Sequence, residues 1–227
     1  GSLENRMRFM TMCMEEVMKA AGNDMAVVVK MNMRDGLKRP GTTIEESIEI
    51  AKRLQQLGTH AIVLSGGLVS ATPMYVMRGE MPIHTMTHYM DKAWLKYGVR
   101  ACGKMMVPTV PYQEAFFLED ALRFRQAMPD MRFIYVGGLV AGDKINEVLS
   151  HGFEAVQMAR SLLNEPDFVN RLKEDPHHRC GCRHSNYCIA RMYSVDMACH
   201  QHLEEPLTPA IVREIERIEK EQDTQKR

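Results

Sequence analysis

Two short segments near the middle of the chain carry residue types suited to holding a phosphate. The first is Tyr135-Val136-Gly137-Gly138-Leu139. The second runs from Val156 through Gln157-Met158-Ala159-Arg160-Ser161-Leu162-Leu163 to Pro166. Glycines let backbone N–H groups approach an anion, and an arginine at the end of the next strand supplies a planar, charged fork. Asp143 to His151, between them, reads as one helix, so the unit is strand–helix–strand. Phosphates held by the loops after the last two strands recur in (β/α)8 barrels. The pattern points to a phosphate-bearing cofactor or substrate.

The elements that must position these residues alternate in type. Leu3 to Ala21 has apolar residues at helical spacing and stops before Gly22. Ala26-Val27-Val28-Val29 is continuous and β-branched, as a buried parallel strand should be. Thr43 and Glu46 form a capping box that opens a helix to about Leu57, and Ala61 to Leu64 is the next strand. From Leu68 to Pro111 the pattern breaks at Pro73, Pro82, Pro108 and Pro111. An excursion of this length either shapes a site or is a packed segment or subunit contact. Gln113 to Met128 then reads as a helix, Arg132 to Val136 as a strand, and Ala155 to Met158 as a strand. Pro166 to Lys173 is a short helix, and Thr208 to Glu221 is amphipathic with Ile211, Ile215 and Ile218 on one stripe. Four strands alternating with helices give a parallel α/β class, and about four βα units are half of a (β/α)8 barrel. The expected division is a partial barrel over 1–175 and a cysteine-rich loop with a C-terminal helix over 176–227.

Composition excludes several classes. Lys+Arg and Asp+Glu both count 29, so no net charge argues for nucleic acid or an anionic membrane surface. The longest apolar runs are strand-sized, and no basic segment followed by an apolar one opens the chain. The cytoplasm is the expected compartment. Twenty methionines are read as core and interface filler.

Gly1-Ser2-Leu3-Glu4-Asn5-Arg6 followed by Arg8-Phe9 resembles the opening motif of the old yellow enzyme superfamily, the NADH:flavin oxidoreductases. Gly137-Gly138 and the stretch from Ala159 to Pro166 resemble that family's two FMN-phosphate segments. The cysteine-rich tail is similar to the dienoyl-CoA reductase and trimethylamine dehydrogenase branch. The resemblance implies a TIM barrel with FMN at its catalytic face. Gly138 and Arg160 would then meet the FMN phosphate, with Gly137 and Ala159 beside them. Lys30 stands where the family usually has an arginine at the flavin pyrimidine edge; it keeps the charge but not the fork. The opening motif normally follows the fourth strand, so the chain is expected to be the C-terminal half of such an enzyme. Its proton donor and substrate-activating pair would lie in an N-terminal half, supplied covalently or in trans.

By that resemblance the intact enzyme would pass hydride from NADH or NADPH through FMN to an electron-poor alkene conjugated to a carbonyl. A second reading is an amine dehydrogenase half with a cluster passing electrons onward. A third is a non-catalytic half-barrel that binds phosphate and pairs with itself.

Cys180, Cys182, Cys188 and Cys199 are crowded together, flanked by His184 and His200. Such thiols suit a 4Fe-4S cluster or zinc, and plain reduced thiols are the third reading. The iron–sulfur branch has a cysteine where this chain has Ser185. Cys13 and Cys102 read as unligated thiols. His84 and His88, four apart, could share a helix face, but the irregular surroundings argue against a metal pair.

Overall fold

The computed structural model describes residues 1–37, 41–192 and 195–225, and the chain divides into two compact units. The first comprises residues 1–71, 115–137 and 144–157; the second comprises 72–114, 138–143 and 158–227.

The first unit contains helix α1 (Leu3–Ala21), strand β1 (Val28–Asn32), α2 (Ile44–Gln56), β2 (Ala61–Ser65), α6 (Leu118–Ala127), β3 (Phe133–Val136), most of α7 (Gly142–Ser150) and β4 (Ala155–Gln157). The strands form one parallel sheet in the order β1-β2-β3-β4. The Thr43 hydroxyl accepts the Glu46 N–H and so caps α2, as the capping box requires. Ile62, Leu64, Phe133 and Tyr135 are fully buried on one face of the sheet, with Leu54, Ala121, Phe124 and Val148 in the same core. Phe124 meets Phe133 edge-on at 6.2 Å.

The other face is only partly covered. Val63 and Ser65 at its centre are buried, but Val28, Lys30, Ala155 and Gln157 on the two edge strands are exposed. Lys30 Nζ nevertheless donates to Gln157 Oε1 at 3.1 Å. Three strand spacings separate β1 from β4, about 14 Å along a flat sheet. The two side chains therefore converge over a concave face, the inner face of a partial barrel.

The second unit is helical: α3 (Pro73–Met77), α4 (Ile83–His88), α5 (Ala93–Met106), α8 (Arg160–Asn164), α9 (Phe168–Glu174), α10 (Tyr187–Arg191), a 3-10 turn (His200–His202) and α11 (Pro209–Gln225). The long excursion is thus three helices: Pro73 opens α3, Pro82 precedes α4, and Pro108 and Pro111 follow α5. Gly103 sets the approach of α5 to α4, because a Cβ there would lie 2.8 Å from the Ile83 side chain. The expected helix from Gln113 begins only at Leu118, and the strand placed at Ala26 begins at Val28. Among the described residues no helix is long and apolar enough to cross a membrane.

Candidate functional site

The second unit fixes the segment that follows Gly137 with a dense set of hydrogen bonds. Tyr112 Oη donates to the Gly138 carbonyl at 2.5 Å, and the Ser161 hydroxyl donates to the Leu139 carbonyl. One oxygen of Glu114 accepts the N–H groups of both Val140 and Ala141 at 2.9 Å, while the other pairs with Arg179 at 2.8 Å. Gly142 N–H donates to the His178 carbonyl, and Cys180 N–H returns to the Val140 carbonyl. Gly142 has no room for a side chain, since a Cβ would collide with the Pro176 carbonyl.

Two donors are left over. Among the described residues, the N–H groups of Gly138 and Leu139 have no hydrogen-bond partner, although Leu139 is 2% exposed and Gly138 is half-buried. Buried N–H groups are nearly always paired, so two successive unpaired ones next to a fully satisfied run form a cradle for an anion. Gly138, at φ 69°, adopts the left-handed conformation that such a cradle needs.

Arg160 opens α8 in the same unit. Its Nη1 donates to the Asn186 side-chain oxygen at 2.7 Å, and its guanidinium carbon lies 6.0 Å from the Tyr112 ring centroid. Tyr112 therefore touches both the Gly138 loop and Arg160. Burial, and next the negative charge of Glu114, push the Tyr112 phenol well above its usual range, so it remains a proton donor to Gly138. Arg160 is half-buried and has no carboxylate partner among the described residues. A guanidinium in that situation retains four N–H donors and favours an external anion. Asn186 orients it from a left-handed backbone position (φ 57°), with its own amide donating to the Arg78 and Glu80 carbonyls.

Gly138, Ala159 and Arg160 thus belong to one unit, and Gly137 and Lys30 to the other. Gly137 is held by sterics, because a Cβ there would meet the Tyr135 hydroxyl. Lys30 lies on the concave sheet face against Gln157. Sequence reading did not single out Tyr112, Glu114 or Asn186. Tyr112 and Glu114 lie just past the proline-broken stretch, and Asn186 was hidden among the cysteines; nothing local marks any of them.

The four-cysteine set divides. Cys182, Cys188 and Cys199 line one cavity of about 20 Å³ together with Arg160, Asn186 and His200, while Cys180 does not. That space is close to the size of a single water. Cys180 is buried, and burial pushes its thiol up to about 11. Burial also pushes Cys188 up to about 11 and raises Cys182. The Asn164 amide donates to Cys199 Sγ at 3.4 Å, and Ser185 is buried. Among the described residues no group of three or more His, Cys, Asp or Glu is arranged to hold a metal ion. As placed, these residues do not fit a four-thiolate cluster, and no step is derived through one. His84 and His88 do share helix α4.

Residues 1–109 match the family model for the NADH:flavin oxidoreductase / NADH oxidase family. A 4,4'-dithiodibutanoate disulfide reductase of Rhodococcus erythropolis is 36% identical over 195 residues, covering 86% of this chain and 48% of that protein. An NADH oxidase of Thermoanaerobacter brockii is 33% identical over 73 residues, 32% of this chain and 11% of its own. The chain therefore spans about half the length of the first relative and much less of the second. Among solved structures, a 2-naphthoyl-CoA reductase complexed with 2-naphthoyl-CoA superposes with a TM-score of 0.64 over 95% of this chain and 27% of its own. At 17% identity this likeness concerns the fold alone.

Proposed function

This chain belongs to the NADH:flavin oxidoreductase / NADH oxidase family, and from that premise we propose that it holds the phosphate end of FMN in an NAD(P)H-dependent oxidoreductase. The observation that carries this reading is the pair of N–H groups at Gly138 and Leu139 that are unpaired among the described residues, in the unit where Arg160 has no counter-charge among those residues. When bound, FMN supplies a two-electron carrier between a nicotinamide and an organic acceptor. The protein's residues do the holding. Gly138 and Leu139 donate to phosphate oxygens, Arg160 supplies charge, and Tyr112, Ser161 and Glu114 keep the loop from relaxing onto those donors. By the family resemblance, Lys30 would supply positive charge at the flavin's pyrimidine edge and favour its reduced, anionic form.

The acceptor proposed first is an alkene conjugated to a carbonyl, as the family resemblance implies. A disulfide acceptor is the second reading, and the relative named for disulfide reduction, 36% identical, favours it. In that case NAD(P)H, a proton and one disulfide would yield NAD(P)+ and two thiols. Further βα units, from the same polypeptide or a second copy, would complete the sheet whose edges β1 and β4 leave open. The test is to incubate the purified chain with FMN, desalt it, and record the visible spectrum and NAD(P)H oxidation with each acceptor. Retained flavin bands are expected, and the acceptor that accelerates NAD(P)H oxidation identifies the substrate class. A colourless protein at saturating FMN would overturn the proposal.

A further inference from the structure

A second anion site lies in the helical unit, on residues that the flavin phosphate does not use. Helices α5 and α11 each contribute a basic pair one turn apart, Arg100 with Lys104 and Arg213 with Arg217, to a cleft of about 470 Å³. Side chains four apart on a helix share a face, so the two pairs oppose each other across the opening. The chain as a whole balances its charges, but this cleft does not: four basic side chains line it against the single carboxylate of Glu214.

That carboxylate is directed elsewhere. Its two oxygens accept the His84 N–H at 2.9 Å and the Thr85 N–H at 2.9 Å, and the Thr85 hydroxyl at 3.1 Å. Arg217 is held by Glu80 through two bonds, at 3.0 and 2.6 Å, and by Glu221 at 2.8 Å, and Lys104 reaches the Glu80 carboxylate at 3.5 Å. Arg100 spends one donor on the Thr87 hydroxyl at 2.9 Å. Arg213 is exposed and has no ion pair among the described residues. Partly neutralised cations at the wall and an uncommitted arginine at the mouth make a polar, positively charged cleft of small-molecule size.

We propose that this cleft binds a diphosphate-bearing small molecule, with Arg213 and Arg100 taking phosphate oxygens from opposite sides. Guanidinium forks match phosphate oxygens, and two opposing basic pairs require an anion with oxygens on both of its ends. Inorganic diphosphate and the diphosphate of a nucleotide share this chemistry.

The test is calorimetric titration of the full chain with inorganic pyrophosphate and with ADP at low salt, repeated on Arg213→Glu and Arg160→Ala chains. The expected result is a site beyond that of the phosphate loop, weakened about tenfold or more by Arg213→Glu and retained in Arg160→Ala, because a charge-assisted contact is worth at least that factor. Tighter binding of ADP than of pyrophosphate would assign the cleft to a nucleotide; equal or weaker binding would assign it to the inorganic anion. Arg213→Gln, with its fold checked by circular dichroism, guards against a structural effect of the charge reversal and should also weaken binding. Absence of binding overturns the proposal. So does binding that survives both Arg213 substitutions, or binding lost only in Arg160→Ala, which would belong to the flavin-phosphate loop.

Discussion

Replacing Glu114 should show how much of the phosphate loop's order depends on one side chain. Its carboxylate, 13% exposed, closes two backbone donors, Val140 N–H and Ala141 N–H, both on buried residues. In Glu114→Ala both N–H groups lose their partner. Each buried, unsatisfied donor costs about 1–3 kcal/mol, and water entering the space left by the side chain recovers part of that. The Arg179 pair adds little, because Arg179 is half exposed. The expected loss is about 2–4 kcal/mol. With a urea slope of about 3 kcal/mol/M, this lowers the midpoint by about 1 M. Glu114→Gln keeps an acceptor oxygen but not the charge, so it should lose about 1 kcal/mol. Amide exchange at Val140 and Ala141 should accelerate in the same order, Ala more than Gln. A Glu114→Ala midpoint within about 0.2 M of the native chain, with unchanged exchange at those two amides, would refute the account of how the loop is held.

Two further predictions concern titration and reactivity. Glu165 accepts from His178 Nε2 at 2.7 Å and from the Gly181 N–H at 2.8 Å. Burial alone would raise its pKa, but these bonds and the charges of His178 and Arg171 overcome that and hold it below the ordinary 4.5. A depressed carboxylate stabilises the fold above its unfolded pKa and loses that contribution as pH falls through the folded value. The urea midpoint of the native chain should therefore fall below about pH 4.5 more steeply than that of Glu165→Gln; parallel curves would contradict the assignment. At pH 7.5 a thiol reagent should label Cys13 and Cys102, which are exposed, and leave Cys180 and Cys188 unmodified until denaturant is added. Rapid modification of Cys180 or Cys188 in the folded chain, mapped by mass spectrometry, would contradict the burial of the first and the raised thiol pKa of both.

The sequence was most informative where local pattern and tertiary role coincide. The capping box at Thr43, the run from Ala61 to Leu64 and the stripe of Ile211, Ile215 and Ile218 mark elements whose burial follows their own pattern, whereas the run at Ala26 became an edge strand with Val28 exposed. The excursion from residue 68 was opaque because α3 and α4 are short and none of its three helices has a side-chain cap, so packing stabilises them in place of propensity. Gly103 shows this most directly: a residue unfavourable to helices sits inside α5 because α4 needs the space. Gly138 and Arg160 were readable as anion ligands from type and spacing. Tyr112, Glu114 and Asn186 were not, because each acts through a contact 26 residues away in sequence. The cysteine cluster was readable as a cluster, but not that Cys180 stands outside the cavity that Cys182, Cys188 and Cys199 line.

The central claim is that Gly138, Leu139 and Arg160 hold a phosphate, and flavin affinity with and without that group tests it most directly. Fluorescence titrations of the native chain with FMN and with riboflavin, which lacks only the phosphate, should differ by about 10–100-fold in favour of FMN. Arg160→Ala should remove most of that difference while leaving riboflavin binding where it was. Equal affinity for the two flavins in the native chain, or an FMN preference that survives Arg160→Ala unchanged, would contradict it.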